Sequence, residues 1–216
     1  DEQRYFQSGN GGALIEVDGV LIGLTVCEDI WTPGTPETDE ALAGAPLIVN
    51  LSASPYHAGK GVQRELMLAQ RARDTLSVFA FCALVGGKDE LIFDGRSLAL
   101  DRQGRPSAVF PGFVEHVATV DTEQSGDGGG YQAQTAIESV RDALILGIRD
   151  YARKTGFRRA VLGLSGGIDS AVTCVLAVAA LGAENVVGVT MPSEYSSAGS
   201  VEDARKLAEN LGIRFL

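Results

Sequence analysis

The stretch Gly163-Leu164-Ser165-Gly166-Gly167-Ile168-Asp169-Ser170 constrains this chain more than any other. Before it, Ala160 to Leu164 is a short apolar run that reads as a central strand of a parallel sheet. After it, Ser170 to Leu181 reads as a helix rich in Ala and Val, and Val186 to Met191 as the next strand. The loop therefore sits inside a βαβ unit, whose crossover is expected to be right-handed. At the start of a helix the unpaired backbone N–H groups and the positive end of the helix dipole can surround a phosphate, and glycines let the backbone come close. The loop has no Walker lysine and no G-x-G-x-x-G spacing, so neither a P-loop ATPase nor a dinucleotide fingerprint fits. Serine hydroxyls and N–H groups must do the cradling. A plain helix N-cap would explain one serine and one glycine, but not six positions.

The rest of the chain reads as further α/β structure. Leu21 to Val26 and Leu47 to Leu51 are apolar runs that end at Cys27 and at Ser52-Ala53-Ser54-Pro55, as buried strands delivering polar residues at their ends. Val62 to Thr75 has helical periodicity. Ser77 to Val85 reads as a strand, Glu90 to Phe93 as a short segment between turns, and Ser97 to Leu100 as a strand before a hairpin turn. Glu123 to Gly130 is polar and glycine-rich, which places a linker at residues 123–134 between a first domain, 1–122, and a second, 135–216. In the second domain Val140, Leu144, Ile148 and Tyr151 recur at helical spacing. Ser200 and Asp203 resemble a capping box for a helix that stops at Gly212.

Composition narrows the function classes. A net charge of −10 removes the surplus of Lys and Arg on which nonspecific binding to nucleic acid or anionic lipid depends, so neither partner is expected. No apolar run approaches the roughly 18 residues of a membrane span. Cys27, Cys82 and Cys174 are odd in number and lack metal-ligand spacing, which favours a reducing, cytoplasmic setting. Cys82, inside the Phe79-Ala80-Phe81 run, and Cys174, in the helix after the loop, are expected in the core. Cys27 differs: a thiol at a strand end beside Glu28 and Asp29 can be an exposed nucleophile, although a buried structural cysteine is the plain alternative.

Ser165-Gly166-Gly167-Ile168-Asp169-Ser170 resembles the S-G-G-x-D-S signature of the ATP pyrophosphatases, which cleave ATP to AMP and pyrophosphate. The resemblance implies that Gly163 to Ser170, Leu164 and Ile168 included, bind ATP. Asp169 would help to hold Mg²⁺ against the β- and γ-phosphates, and Met191, Ser193 and Ser197 would lie near the nucleotide. Leu24-Thr25-Val26-Cys27-Glu28-Asp29-Ile30-Trp31, Asn50 to His57 and Val85 to Gly95 are similar, in order, to motifs of glutaminase domains in the nitrilase superfamily. Those domains use a Glu-Lys-Cys triad. Cys27 would be its nucleophile, and the Glu and Lys would precede Asp1. Ser54, Lys60 and Glu28 would bind glutamine, with Tyr56 and His57 shaping the nearby loop.

A nitrilase-like amidase preceding this ATP loop is the arrangement of the glutamine-dependent NAD synthetase family. Leu144 to Tyr151, Lys154 to Phe157 and Met191 to Ser197 are also similar to that family. Two departures are Ala83, where asparagine is expected, and Glu194, at a position often basic. The implied fold is α/β: the C-terminal part of a nitrilase-like α-β-β-α sandwich, then the start of a doubly wound parallel-sheet ATP-pyrophosphatase domain. The implied substrates are glutamine, deamido-NAD and ATP with Mg²⁺, in a homo-oligomer. Two alternatives stay open: the same amidase fused to an ATP pyrophosphatase acting on another acid, and a non-catalytic nucleotide-binding fragment.

Overall fold

The computed structural model describes residues 4–7, 9, 11–123, 126, 135–192 and 197–216. Ser193, Glu194 and nearly all of the expected linker at 123–134 lie outside them. The chain divides into two compact units, residues 1–85 with 93–136, and residues 86–92 with 137–216.

In the first unit, β1 (Ala13–Val17) and β2 (Val20–Val26) form an antiparallel hairpin. The short helix α1 (Glu37–Leu42) leads to β3 (Leu47–Ser52), and α2 (Lys60–Thr75) leads to β4 (Val78–Ala83). β2, β3 and β4 are parallel, and the connections through α1 and α2 are the crossovers that parallel neighbours need. The hairpin strands β5 (Val85–Lys88) and β6 (Leu91–Asp94) follow, then β7 (Leu98–Leu100) and β8 (Pro106–Val109), and the six-stranded sheet runs β1-β2-β3-β4-β7-β8. The expected strand 77–85 is thus two strands, broken at Leu84, whose N–H donates to the carbonyl of Ser52.

Strand alternation decides what the sheet buries. Gly23, Ile48 and Phe79 are in register, as are Thr25, Asn50 and Phe81, and all six are buried. On that side Ile48, Phe79, Phe81, Leu98 and Leu100 pack with Leu68 and Ala72 of α2 and with Ile30. Each such side chain contributes up to about 1.5–3 kcal/mol when taken fully out of water. The next residues along, Val26, Leu51 and Cys82, are paired across the same three strands but face the other way, and all three are exposed. This corrects the expectation for Cys82. Phe79 and Phe81 fix one face of β4 as the core face, so Cys82, one residue further, must point to the opposite face.

In the second unit α3 (Ala136–Thr155) precedes β9 (Ala160–Gly163). Next come α4 (Ile168–Leu181), β10 (Val186–Val189), α5 (Ala198–Leu211) and β11 (Arg214–Phe215). The three strands are parallel in the order β11-β10-β9. Among the described residues β10 is therefore central and β9 has one neighbour, a correction to the expected central place of β9. Alternation along β9 leaves Val161 on an exposed face, although an apolar run alone reads as buried on both sides. Leu164, Cys174, Ala177, Val186, Ala204, Ala208 and Ile213 form the core of this unit, so Cys174 is buried as expected and burial pushes its thiol pKa up. The N-cap of α5 is Ser197 rather than Ser200. The Ser197 hydroxyl accepts from the N–H of Ser200, three residues on, and Gly212 ends the helix in the left-handed conformation. No helix among the described residues is long and apolar enough to cross a membrane.

Candidate active site

Cys27 stands one residue beyond the end of β2, at the first position of a single 3-10 turn. Its φ is +48°, a left-handed conformation uncommon for a residue with a side chain. Such strain persists only where neighbours enforce it. Here the Asp29 carboxylate accepts from the N–H of Val26 at 2.7 Å, closing the turn. The reversal lifts the thiol out of the sheet, leaving Cys27 half-buried. The Ser52 hydroxyl at the end of β3 donates towards Sγ at 3.6 Å. Beneath it Asn50 Nδ2 donates to Thr25 Oγ1 at 2.9 Å, tying the ends of β2 and β3 together within the core.

Cys27 lines a cavity of about 730 Å³. Its walls include Val26, Leu51, Ser52, Cys82 and Leu84 from the sheet, and Arg96, Phe110 and His116 from later segments. Of the residues expected to hold glutamine, Glu28 is exposed in the turn after the thiol and Ser54 is half-buried in the loop after β3. Lys60 opens α2. Its Nζ donates to the carbonyl of Pro55 at 2.7 Å and lies 5.6 Å from the centroid of the Trp31 ring. Burial lowers the Lys60 pKa and Arg64 lowers it further, while Asp94, Cys27 and Glu28 oppose the shift. None of Glu28, Ser54 and Lys60 lines the cavity that Cys27 does.

One turn along α2, Arg64 grips Asp94 with both nitrogens of its fork, at 3.0 and 2.8 Å. Both residues are buried, and the guanidinium lies over Phe81. Tyr56 stacks edge-on against Phe113, and His57 is exposed with Nδ1 3.1 Å from the carbonyl of Ala58.

The second site lies in the other unit. β9 ends at Gly163, Leu164 turns into the core, and Ser165 to Gly167 pass into α4. The hydroxyls of Ser165 and Ser170 are 3.1 Å apart, Gly167 N–H donates to Ser165 Oγ at 3.2 Å, and Ser170 Oγ donates to the carbonyl of Gly167 at 3.0 Å. The loop is thus shaped by its own serines. Gly166 has φ +81°, and a Cβ there would collide with the backbone of Ser200. Both features require glycine and bring the start of α5 against the loop. Asp169 is exposed in the first turn of α4. Met191 is exposed, and its methyl would lie 3.3 Å from a Cβ on Gly163. Two clefts flank the loop. One, of about 340 Å³, is lined by Gly166, Gly167, Ser170 and Asp203, and the other, of about 230 Å³, by Ser165, Met191 and Ser200.

Residues 1–126 match the family model described as carbon-nitrogen hydrolase. The chain belongs to the carbon-nitrogen hydrolase family. Cys27 at its strained turn lies within that match, and residues 140–216, which carry the serine-glycine loop, match the model described as NAD synthase. This carbon-nitrogen hydrolase chain is 42% identical over its whole length to a glutamine-dependent NAD(+) synthetase of Aquifex aeolicus, and covers 44% of it. It is 41% identical to the enzyme of that name from Thermotoga maritima, with 99% of the chain and 43% of the relative covered. Among solved structures it resembles glutamine-dependent NAD+ synthetase from Acinetobacter baumannii in complex with ADP. That likeness has a TM-score of 0.90 at 35% identity and covers 100% of this chain and 41% of the other. The chain therefore spans less than half the length of these relatives.

Among the residues lining the Cys27 cavity, Arg96, Phe110 and His116 were not named from sequence. Ser52 was named as a polar residue delivered at the end of an apolar strand, but not as a partner of the thiol. Arg96 lies one residue past the Val85 to Gly95 motif, and His116 reaches the cavity from a stretch without one.

Proposed function

We propose that the protein containing this chain is a glutamine-dependent NAD synthetase acting in the cytoplasm as a homo-oligomer, with its domain boundary within residues 123–134. The observation that carries the reading is the pairing in one chain of a cysteine held at φ +48° beside a cavity and a serine-glycine loop opening a helix. They lie, in that order, within matches to the carbon-nitrogen hydrolase and NAD synthase models.

In this reading Cys27 Sγ attacks the side-chain amide carbon of glutamine. Ammonia leaves, and water resolves the resulting thioester to glutamate and free thiol. The Ser52 hydroxyl steadies the sulfur, while Ser54, Lys60 and Glu28 hold the amino-acid end of the substrate. The depressed pKa of Lys60 reflects a desolvated ammonium, suited to a carboxylate partner.

At the loop of α4 the N–H groups of residues 165–170 and the hydroxyls of Ser165 and Ser170 receive the phosphates of ATP, and Met191 lies beside the nucleotide. Asp169 offers a solvent-facing carboxylate in the first turn of the helix, the hard oxygen ligand that Mg²⁺ takes alongside phosphate oxygens. The ion would neutralise charge on the departing pyrophosphate. The nicotinate carboxylate of deamido-NAD, activated as its adenylate, then accepts ammonia to give NAD, AMP and pyrophosphate.

The test uses the full-length protein. Cys27→Ala is expected to abolish NAD formation from glutamine and to leave formation from ammonium chloride within about twofold of wild type. Loss of both activities, or retention of both, overturns the assignment of Cys27. Failure of the wild-type protein to form NAD from deamido-NAD overturns the reading as a whole.

A further inference from the structure

We infer that Asp150 is a positioning residue that couples glutamine hydrolysis to the nucleotide half of the reaction, by clamping the β5–β6 hairpin onto α3. The inference rests on the glutamine-dependent reaction proposed above.

Residues 86–92 of this hairpin belong to the second unit, although residues on both sides of them belong to the first. The clamp closes on one residue. The N–H of Gly87 donates to Asp150 Oδ2 at 2.8 Å, and the carbonyl of Gly87 accepts from Lys154 Nζ, one helical turn later. Lys154 Nζ also lies 3.8 Å from Asp150 Oδ2, and Arg153 Nη2 lies 3.6 Å from Oδ1. Asp150 is buried, 6% exposed. A carboxylate at such a site is costly unless its oxygens are held, and an apolar residue would serve packing alone as well.

Glycines on both sides make the approach possible. A Cβ on Gly86, at φ +142°, would stand 3.2 Å from Asp150 Oδ2, and one on Gly87 would stand 3.3 Å from Asp150 Cβ and 3.4 Å from Gly147 Cα. A Cβ on Gly147 of α3 would stand 3.1 Å from Ile92 Cδ1. Helix and hairpin therefore meet nearly backbone to backbone, held by hydrogen bonds of fixed direction.

Connectivity gives the clamp its consequence. Leu84 and Val85, just before the clamped residues, line the Cys27 cavity. Just after them comes Asp94, which grips Arg64 one turn from Lys60. At the other end, α3 runs within five residues into β9 and the serine-glycine loop. Any displacement of α3 that accompanies filling of that loop moves Gly87 with it, and the two legs of the hairpin end at the cavity wall and at the Arg64 pair. Coupling has a chemical use here, because ammonia released before the acyl acceptor is ready is protonated and lost.

The experiment uses full-length Asp150→Ala, Asp150→Asn and Lys154→Met proteins. It measures glutamate released per NAD formed, stimulation of glutaminase by ATP with deamido-NAD, and NAD formation from ammonium chloride. In Asp150→Ala the ammonia-driven rate should stay within about twofold of wild type, while glutamate per NAD rises and stimulation falls by about fivefold or more, the usual scale of coupling between sites. Asp150→Asn keeps an acceptor for Gly87 but loses the charge that attracts Lys154, and should fall between. A wild-type ratio and wild-type stimulation in Asp150→Ala overturn the inference. Should that variant fail to fold, the same result in both Asp150→Asn and Lys154→Met overturns it. A wild-type protein that forms no NAD from either nitrogen source refutes the functional reading instead, whatever Asp150 does.

Discussion

Two residues show how local geometry sets what each unit can do. Gly166 combines φ +81° with contact against the Ser200 backbone. In Gly166→Ala, a left-handed residue with a side chain costs about 1–2 kcal/mol, and the clash displaces the loop as well. The expected outcome in the full-length protein is a rise of about tenfold or more in the KM for ATP, with basal glutaminase unchanged, read from initial rates. Arg64 and Asp94 form the other case, since removing one partner of a buried ion pair leaves an uncompensated charge. Arg64→Leu should lower stability by about 3–5 kcal/mol in urea melts, and Arg64→Leu with Asp94→Leu should recover most of it. A double variant as unstable as the single one would show that the pair does not act as a unit.

Among the elements, α1 carries two carboxyls whose protonation bears on stability. Glu37 and Glu40 are buried on this short helix. Burial raises the pKa of Glu37 despite the N–H groups of Glu37 and Gly34 and the charge of Arg71, and raises that of Glu40 despite the Ala13 N–H. A carboxyl raised in the folded state stabilises the fold at low pH and loses that contribution as pH rises from 4.5 through the folded pKa. Asp101 behaves oppositely. Burial would raise it, but Arg105, through backbone and side chain, and the N–H groups of Gly126 and Gln103 bring it below 3.8, so its contribution is lost as pH falls through the folded pKa. Melting temperatures should therefore fall as pH rises above 4.5, and the slope should flatten in Glu40→Gln. An unchanged slope there would remove Glu40 from the account.

The elements also show what a sequence can reveal. The strand ending at Cys27, the helix read over Val62 to Thr75 and the βαβ unit around Ser165 were legible because apolar runs and glycine turns are local signals. The φ of Cys27 was not, since it is enforced by Asp29 and by neighbouring strand ends. The outward placement of Cys82 and, among the described residues, the edge position of β9 were misread because an apolar run does not say which of its faces or edges finds a partner. The walls formed by Arg96 and His116 depend on segments far apart in sequence.

At the scale of the whole molecule, both candidate sites lie just past the carboxyl ends of parallel strands, Cys27 after β2 and the serine-glycine loop after β9, while the cores lie along the strands themselves. Substitutions at these ends should therefore change chemistry with little loss of fold, as Cys27→Ala would show by melting within a few degrees of wild type. The alternation in β4 that turns Cys82 away from Phe79 and Phe81 has a practical result. A thiol-counting reagent added to this 216-residue chain should register two sulfhydryls promptly, one of them silenced by Cys82→Ser. The third, Cys174, should react only once denaturant opens the second unit, so colour development itself would time the unfolding of that unit.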